Sequence, residues 1–276
     1  MNLTFTKMHG LGNDFVIVDQ RKKAPRLTES QIRLIADRHC GVGFDQLLCI
    51  EPSTDPIAQF ALSIFNADGS RAEQCGNGVR CVARYLERKQ LINSDCFKIQ
   101  AGSTLISIHL SKDGSVSCDM GVPEFEPDKI PFVASQKSMH YDLVVGTERV
   151  SFGVVSIGNP HAVVEVDNVE SAQVQQLGAA LERHSVFPDR VNVGFMQINA
   201  RDRMQLRVYE RGVGETRACG TGACAAMVIG RARGQLGERV FVELTGGTLE
   251  ITWRGDASPV WMRGPATWVF EGNIDV

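Results

Sequence analysis

The sequence predicts an α+β fold: two pseudo-symmetric domains, each a curved, mainly antiparallel sheet or barrel wrapped around a central helix. The first observation behind this is an internal repeat. Gly12-Asn13 precedes Val16-Ile17-Val18 as Gly158-Asn159 precedes Ala162-Val163-Val164, an offset of 146 residues. Arg38-His39 and Arg183-His184 follow at 145, Gln46 and Asn192 at 146, and Phe65-Asn66 and Tyr209-Glu210 at 144. Cys75-Gly76 and Cys219-Gly220 stand at 144, as do Gly102-Ser103-Thr104-Leu105 and Gly246-Gly247-Thr248-Leu249. Collinear matches whose offset drifts by only a few residues mark a duplication. The second observation is that each half reads as many short strands and two helices. The third is the helix after Cys219, where Gly222, Ala223, Ala225, Ala226 and Gly230 leave every side small, as in a buried helix.

In chain order, Phe15 to Val18 reads as a strand. Thr28 is the N-cap of a helix, Gln31 stands at the capping-box position, and Ile32, Ile35 and Ala36 form the apolar stripe. That helix is expected to end near Arg38-His39, where Gly41-Val42-Gly43 turns into a strand from Leu47 to Ile50. Ala61 to Phe65 reads as another strand, closed by the turn Asn66-Ala67-Asp68-Gly69-Ser70. Cys75 opens a second helix with Val79, Val82, Ala83 and Leu86 at helical spacing, ending near Lys89. Thr104 to Leu110 and Ser115 to Met120 alternate around Asp113-Gly114 as a hairpin. Pro and acidic residues at Gly121-Val122-Pro123-Glu124 break the pattern and mark the boundary between halves.

The chain has 276 residues, 43% hydrophobic and 22% charged, with a net charge of −3. That is the composition of a globular protein with room for two domains. No basic run or basic aromatic face points to nucleic acid or an anionic membrane. Met1 to Lys7 lacks the apolar core of a secretion signal, and no apolar run reaches the ~18 residues of a membrane helix. A cytoplasmic location with reduced thiols is the expectation. The eight cysteines form no C-x-x-C pair, and no His/Cys/Asp cluster has ligand spacing, so no metal is expected.

The chemistry suggested by the repeat centres on its two thiols. A cysteine at a helix N-terminus feels the positive end of the dipole, which is expected to lower its pKa. The free N–H groups of that first turn can hold a carboxylate. Pseudo-twofold symmetry would face the two helix ends across an interdomain cleft. Two opposed thiols suit the inversion of a stereocentre bearing a carboxylate, one removing Hα as thiolate and one returning a proton as thiol. Helix-end amides would stabilise the developing carbanion. Oxidation is then expected to join Cys75 to Cys219.

Five stretches carry a resemblance. They are Met8-His9-Gly10-Leu11-Gly12-Asn13-Asp14-Phe15, Glu73-Gln74-Cys75-Gly76-Asn77-Gly78-Val79-Arg80-Cys81, Gly158-Asn159-Pro160-His161, Glu210-Arg211-Gly212-Val213-Gly214-Glu215-Thr216 and Ala218-Cys219-Gly220-Thr221-Gly222. In order and across essentially the whole chain, they resemble the diaminopimelate epimerases. The resemblance implies cofactor-independent interconversion of LL- and meso-diaminopimelate, in lysine and peptidoglycan precursor biosynthesis. It implies Cys75 and Cys219 as the acid/base pair, with His161 and Glu210 tuning the thiols. Gly76, Asn77, Gly220 and Thr221 would hold the reacting-end carboxylate. Asn13, Gln46, Asn66, Asn159, Asn192, Glu210 and Arg211 would complete substrate binding. It also implies a homodimer, and a last strand that returns to the first domain, giving domains of 1–119 plus 265–276 and of 120–264. Phe270 stands where the family's Tyr is expected, a departure at the dimer contact.

The residues themselves support part of this. Asn13/Asn159, Gln46/Asn192 and Asn66/Glu210 are pairs under the repeat, whereas Arg211 faces Ala67. A lone guanidinium suits the distal carboxylate of a long diacid. The alternatives are a proline or hydroxyproline racemase of the same superfamily, and a thiol redox or ligand-binding relative without catalysis. Cys40, Cys49, Cys81, Cys96, Cys118 and Cys224 are read as packing residues. Arg80 and Glu73 are read as solvated, and Asp68 and Glu215 as turn residues.

Overall fold

The computed structural model describes residues 2–21, 26–72 and 76–276. The chain divides into two compact units, Met1–Asp119 with Gly264–Val276, and Met120–Arg263. The first unit begins with β1 (Asn2–Gly10), β2 (Asn13–Asp19), α1 (Glu29–Ala36), β3 (Gln46–Pro52), β4 (Phe60–Asn66) and β5 (Arg71–Ala72). It continues with α2 (Gly76–Arg88), β6 (Cys96–Ala101), β7 (Thr104–Leu110) and β8 (Val116–Asp119). The second carries β9 (Tyr141–Val145), β10 (Glu148–Ser156), β11 (Pro160–Glu165), α3 (Val174–Glu182), β12 (Asn192–Ala200) and β13 (Arg203–Glu210). Then come β14 (Gly214–Thr216), α4 (Gly220–Ala232), β15 (Arg239–Leu244), β16 (Gly247–Thr252) and β17 (Trp261–Gly264). The last strand, β18 (Thr267–Asp275), pairs with β1 and belongs to the first unit.

The repeat extends to strand polarity. The first unit runs β18-β1-β2-β3-β4-β6-β7-β8, antiparallel except for the parallel pairs β2/β3 and β4/β6. The second runs β9-β10-β11-β12-β13-β15-β16-β17, antiparallel except for β11/β12 and β13/β15. Short β5 pairs with β4 just as β14 pairs with β13. Register agrees as well, Phe15 pairing with Gln46 and His161 with Asn192. The fold is thus mixed α+β, mostly sheet with four α-helices among the described residues. Within each unit the sheet stays open, from β18 to β8 and from β9 to β17, so the barrel alternative does not hold.

Each unit has one innermost helix. In α4 every residue from Gly220 to Gly230 is buried, as a small-sided helix must be to pack on all faces. In α2 the stripe Val79, Val82, Ala83 and Leu86 is buried, with the helix packed on β1, β2 and β3. The other helix of each unit covers an outer face. Thr28 and Gln31 close the capping box of α1, and Ile32, Ile35 and Ala36 are buried against Val16, Val18 and Leu47. In the second unit, Phe132, Phe152, Phe187 and Phe195 centre the core beneath Val174 and Leu181 of α3. Helix α1 stops at Ala36, before Arg38-His39, because the Asp37 carboxylate takes the His39 and Cys40 amides at 2.8 and 2.7 Å. No described helix is long and apolar enough to cross a membrane.

Three expectations are corrected. Cys40 and Cys96 are exposed and not core packing residues, whereas Cys49, Cys81, Cys118 and Cys224 are buried. Arg80 is fully buried, its Nε donating to the Pro265 carbonyl at 3.3 Å. Glu215 lies in β14 and forms a two-bond ion pair with Arg207, at 2.6 and 3.0 Å.

Candidate active site

Cys219 is the N-cap of α4, in extended backbone (φ −109°, ψ 109°). Its Sγ accepts the Gly222 N–H at 3.4 Å and lies 3.6 Å from Thr221 Oγ1. The motif's second glycine sits in tight space: a Cβ at Gly222 would sit 3.0 Å from Val208 Cγ2 and 3.2 Å from Cys219 Sγ. Gly220 and Thr221 are the first helical residues, and their N–H groups have no partner within the helix. Burial pushes the Cys219 thiol well above its ordinary pKa, and the neighbouring Glu210 carboxylate raises it further by charge and by hydrogen bond. The Thr221 hydroxyl and Gly222 amide pull the other way without prevailing. The expected depression by the helix end is therefore reversed: a dipole term of about 0.3–1 kcal/mol is outweighed by desolvation of a thiolate. Cys219 is thus held as the neutral thiol.

The second unit gathers further predicted residues around β11, β12 and β13. His161 is buried, its Nε2 lying 3.0 Å from Asn159 Oδ1. Because that oxygen only accepts, the ring proton sits on Nε2, and Nδ1 is left as a buried lone pair. Burial, reinforced by the Arg211 charge, brings the imidazole down to about 3, so His161 is neutral. Asn192 ties the strands together, donating to the Pro160 carbonyl and accepting the Arg211 N–H, both at 3.0 Å. Arg211 Nη1 donates to the Asp189 carbonyl at 3.0 Å. Glu210 Oε1 accepts the Thr216 hydroxyl and lies beside Cys219.

In the first unit, Asn13 Nδ2 donates to Asp45 Oδ2 at 2.9 Å and Asn13 Oδ1 accepts from Asn77 Nδ2 at 3.2 Å. Gln46 Nε2 donates to Asn66 Oδ1 at 3.1 Å, and Asn66 Nδ2 to Ser70 Oγ at 3.0 Å. Gly76 and Asn77 begin α2. Cys75 lies outside the described residues, as do Glu73 and Gln74. The amide array thus forms two groups, Asn13–Asn77 and Gln46–Asn66. Behind the first, Arg38 bridges Asp14 and Asp45, and Lys7 pairs with Asp14. Burial opposes ionisation of Asp14, yet Arg38 and Lys7 overcome it and hold its carboxyl far below the usual range.

Sequence reasoning missed the supports. Asp45, Arg38 and Lys7 hold Asn13, while Asp189 and Glu182 hold the Arg211 corner, Glu182 Oε1 accepting the Gly212 N–H at 2.8 Å. No motif announces the Arg211–Asp189, Arg38–Asp14, Gly212–Glu182 and Asn13–Asp45 contacts, which join residues 22 to 32 positions apart. Among the described residues no group of three or more His, Cys, Asp or Glu side chains converges to hold a metal.

A family model described as diaminopimelate epimerase matches residues 5–126 and 153–269. Among solved structures, a probable proline racemase from Agrobacterium radiobacter with bound carbonate has a TM-score of 0.73 at 15% identity, covering 99% of this chain and 93% of that one. A hydroxyproline epimerase from Agrobacterium vitis with bound trans-4-hydroxy-L-proline gives 0.72 at 15%, covering 99% and 91%. A phenazine biosynthesis protein of the PhzF family from Bacillus anthracis gives 0.70 at 15%, covering all of both chains. At this identity the three share the fold. The family match spans both units, and the chain belongs to the diaminopimelate epimerase family.

Proposed function

We propose that this protein epimerises LL-diaminopimelate to meso-diaminopimelate, on the route to lysine and peptidoglycan precursors, with Cys75 and Cys219 as its two acid/base groups. The observation that carries the reading is Cys219: a buried neutral thiol capping the innermost helix, beside a carboxylate and a row of helix-end N–H groups. In one direction the thiolate of one cysteine removes Hα as a proton, leaving the electron pair on the α-carbon and its carboxylate. The thiol of the other gives its proton to the opposite face and becomes the thiolate. The reverse reaction exchanges the roles. Gly220 and Thr221, with Gly76 and Asn77 from the other helix start, would take the α-carboxylate as charge develops on it. His161 and Glu210 would tune the thiol, and Arg211 would take the distal carboxylate. Asn13, Gln46, Asn66, Asn159 and Asn192 would hold the remaining polar groups. The reaction so written draws on no cofactor.

Two features favour a diacid over a cyclic imino acid. Arg211 has Nη1 anchored on Asp189, and its Nε and Nη2 are without a protein acceptor among the described residues, an open edge that matches a carboxylate. No second guanidinium stands at its counterpart, Ala67. The test is Hα exchange: reduced protein, LL-diaminopimelate and deuterated water, followed by NMR, with Cys75→Ala and Cys219→Ala alongside. Epimerisation with deuterium incorporation by the wild type, lost in each variant, is expected. Unimpaired epimerisation by either variant refutes the two-thiol assignment; turnover of proline in place of diaminopimelate moves the protein to the racemase reading. A homodimer is part of the proposal, with the exposed Val269 and Phe270 of β18 as candidate contacts, checked by light scattering of wild type and Phe270→Asp.

A further inference from the structure

Arg211 sits at the corner between β13 and β14, and this corner is held differently from its counterpart in the other unit. Three bonds fix it: Arg211 N–H to Asn192 Oδ1 at 3.0 Å, Arg211 Nη1 to the Asp189 carbonyl at 3.0 Å, and Gly212 N–H to Glu182 Oε1 at 2.8 Å. The third is unusual, because Glu182 is only 1% exposed. A carboxylate out of water is costly unless its oxygens find donors or cations. Here they have the Gly212 amide, with Arg190 Nη1 at 3.6 Å from Oε1 and Arg183 Nε at 3.4 Å from Oε2. Both guanidinium groups are themselves exposed, at 55% and 71%, and stand farther off than the Gly212 amide, which makes the shortest of these three contacts at 2.8 Å.

The other unit lacks this device. Under the repeat Glu182 corresponds to Asp37, an exposed carboxylate that takes the His39 and Cys40 amides just past α1, and the corner after β4 is instead tied at the surface, Arg33 Nη1 donating to the Asp68 carbonyl at 2.9 Å. The buried carboxylate therefore accompanies Arg211 and not Ala67. Helix α3 is also seated on the strand leading into the corner: a Cβ at Gly178 would lie 2.6 Å from Tyr209 Cβ, so helix and strand touch with no room for a side chain. Gly178 sets the distance of α3 from β13, and Glu182, one turn on, grips the corner beyond it.

We propose that Glu182 is a positioning residue for recognition of the substrate's distal carboxylate. By holding the Gly212 amide it fixes the Glu210-Arg211 corner, keeping the open Nε/Nη2 edge of Arg211 aimed and Glu210 beside Cys219. This rests on the diaminopimelate reading for its substrate, while the clamp itself is measurable without any substrate.

The experiment compares wild type, Glu182→Gln and Glu182→Ala in two measurements: steady-state epimerisation of diaminopimelate, and hydrogen exchange of the Gly212 amide. Glu182→Ala is expected to raise KM about tenfold with kcat changed less than about threefold, the signature of lost uniform binding. Its Gly212 amide should exchange at least about tenfold faster. Glu182→Gln keeps an acceptor oxygen and should retain near wild-type KM and protection. If the alanine variant does not fold, Glu182→Asp, whose carboxylate stops one methylene short, must show the KM rise. An unchanged KM, or a loss confined to kcat and thermal stability, overturns the positioning role. If wild type leaves diaminopimelate untouched, the functional reading fails separately, and unchanged Gly212 exchange in the alanine variant still overturns the clamp.

Discussion

Phe15 and His161 occupy the same place in the two units, each buried and each paired in register with the amide residue of the next strand. Replacing His161 by Phe therefore installs a side chain that the equivalent site already accommodates. The imidazole is held down to about 3, by burial first and by the Arg211 charge second, against 6.5 in an unfolded chain. As pH falls through 6.5, the unfolded state takes up a proton that the folded state refuses, so stability present above that pH is lost on acidification. The slope for one proton is about 1.4 kcal/mol per pH unit. Between pH 6.5 and 5 the loss is about 2 kcal/mol, a large part of the ~5–15 kcal/mol that holds a protein of this kind. Above pH 7 the variant should differ from wild type by about 1 kcal/mol, for the lost Asn159 bond. Urea unfolding at half-unit pH steps measures the difference curve, in which the other titrating groups cancel. Parallel curves for the two proteins, or a His161 ring resonance titrating near pH 6.5 in the folded state, would refute the reasoning.

Arg211→Ala should raise KM for diaminopimelate roughly 30-fold, for a charged hydrogen-bond set worth about 2 kcal/mol, with kcat little changed; an effect on kcat alone would place Arg211 in the chemistry instead. Gly178→Ala should destabilise by about 1–3 kcal/mol, since its Cβ would enter Tyr209 at 2.6 Å; calorimetry showing no loss would mean that α3 can slide. Burial raises Cys49 and Cys118 to about 12, and Cys219 upward as well, so these thiols keep protons that the unfolded chain loses above pH ~9. Stability should fall there, and Cys118→Ala should make the decline shallower by about 1.4 kcal/mol per pH unit, read from unfolding midpoints between pH 9 and 10.5.

What was legible in the sequence was local or periodic. Thr28 and Gln31 announce α1, the stripe from Val79 to Leu86 announces α2, and the small residues after Cys219 announce a buried α4. The repeat made strand order transferable from one half to the other. Strand β1 was not read, because Phe5 to Lys7 is buried on both faces beneath α2 and alternation disappears, with Lys7 neutralised by Asp14. The polar residues expected to bind substrate were named from the family resemblance, and the repeat pairs Asn13 with Asn159, Gln46 with Asn192 and Asn66 with Glu210. The direction of the Cys219 shift could not be read, because it depends on how completely the folded chain removes water from Sγ and on Glu210, nine residues away in sequence.

Equivalent positions also show where the two units differ. Phe15 and Ala67 in the first unit correspond to His161 and Arg211 in the second, two apolar side chains against two polar or charged ones, and the exposed Asp37 corresponds to the buried Glu182. The three of the second unit are connected: Arg211 acts on the His161 ring through its charge, its amide is bonded to Asn192, and its neighbour Gly212 is bonded to Glu182. The first unit holds Asn13 by a different means, the Lys7–Asp14–Arg38–Asp45 network. A duplicated backbone thus supplies two matching helix starts, each following a cysteine, as the proposed inversion at one carbon would require. On the proposed function, reading the far end of the substrate would require asymmetry, which the second unit supplies with one exposed guanidinium and a buried carboxylate bonded to its corner.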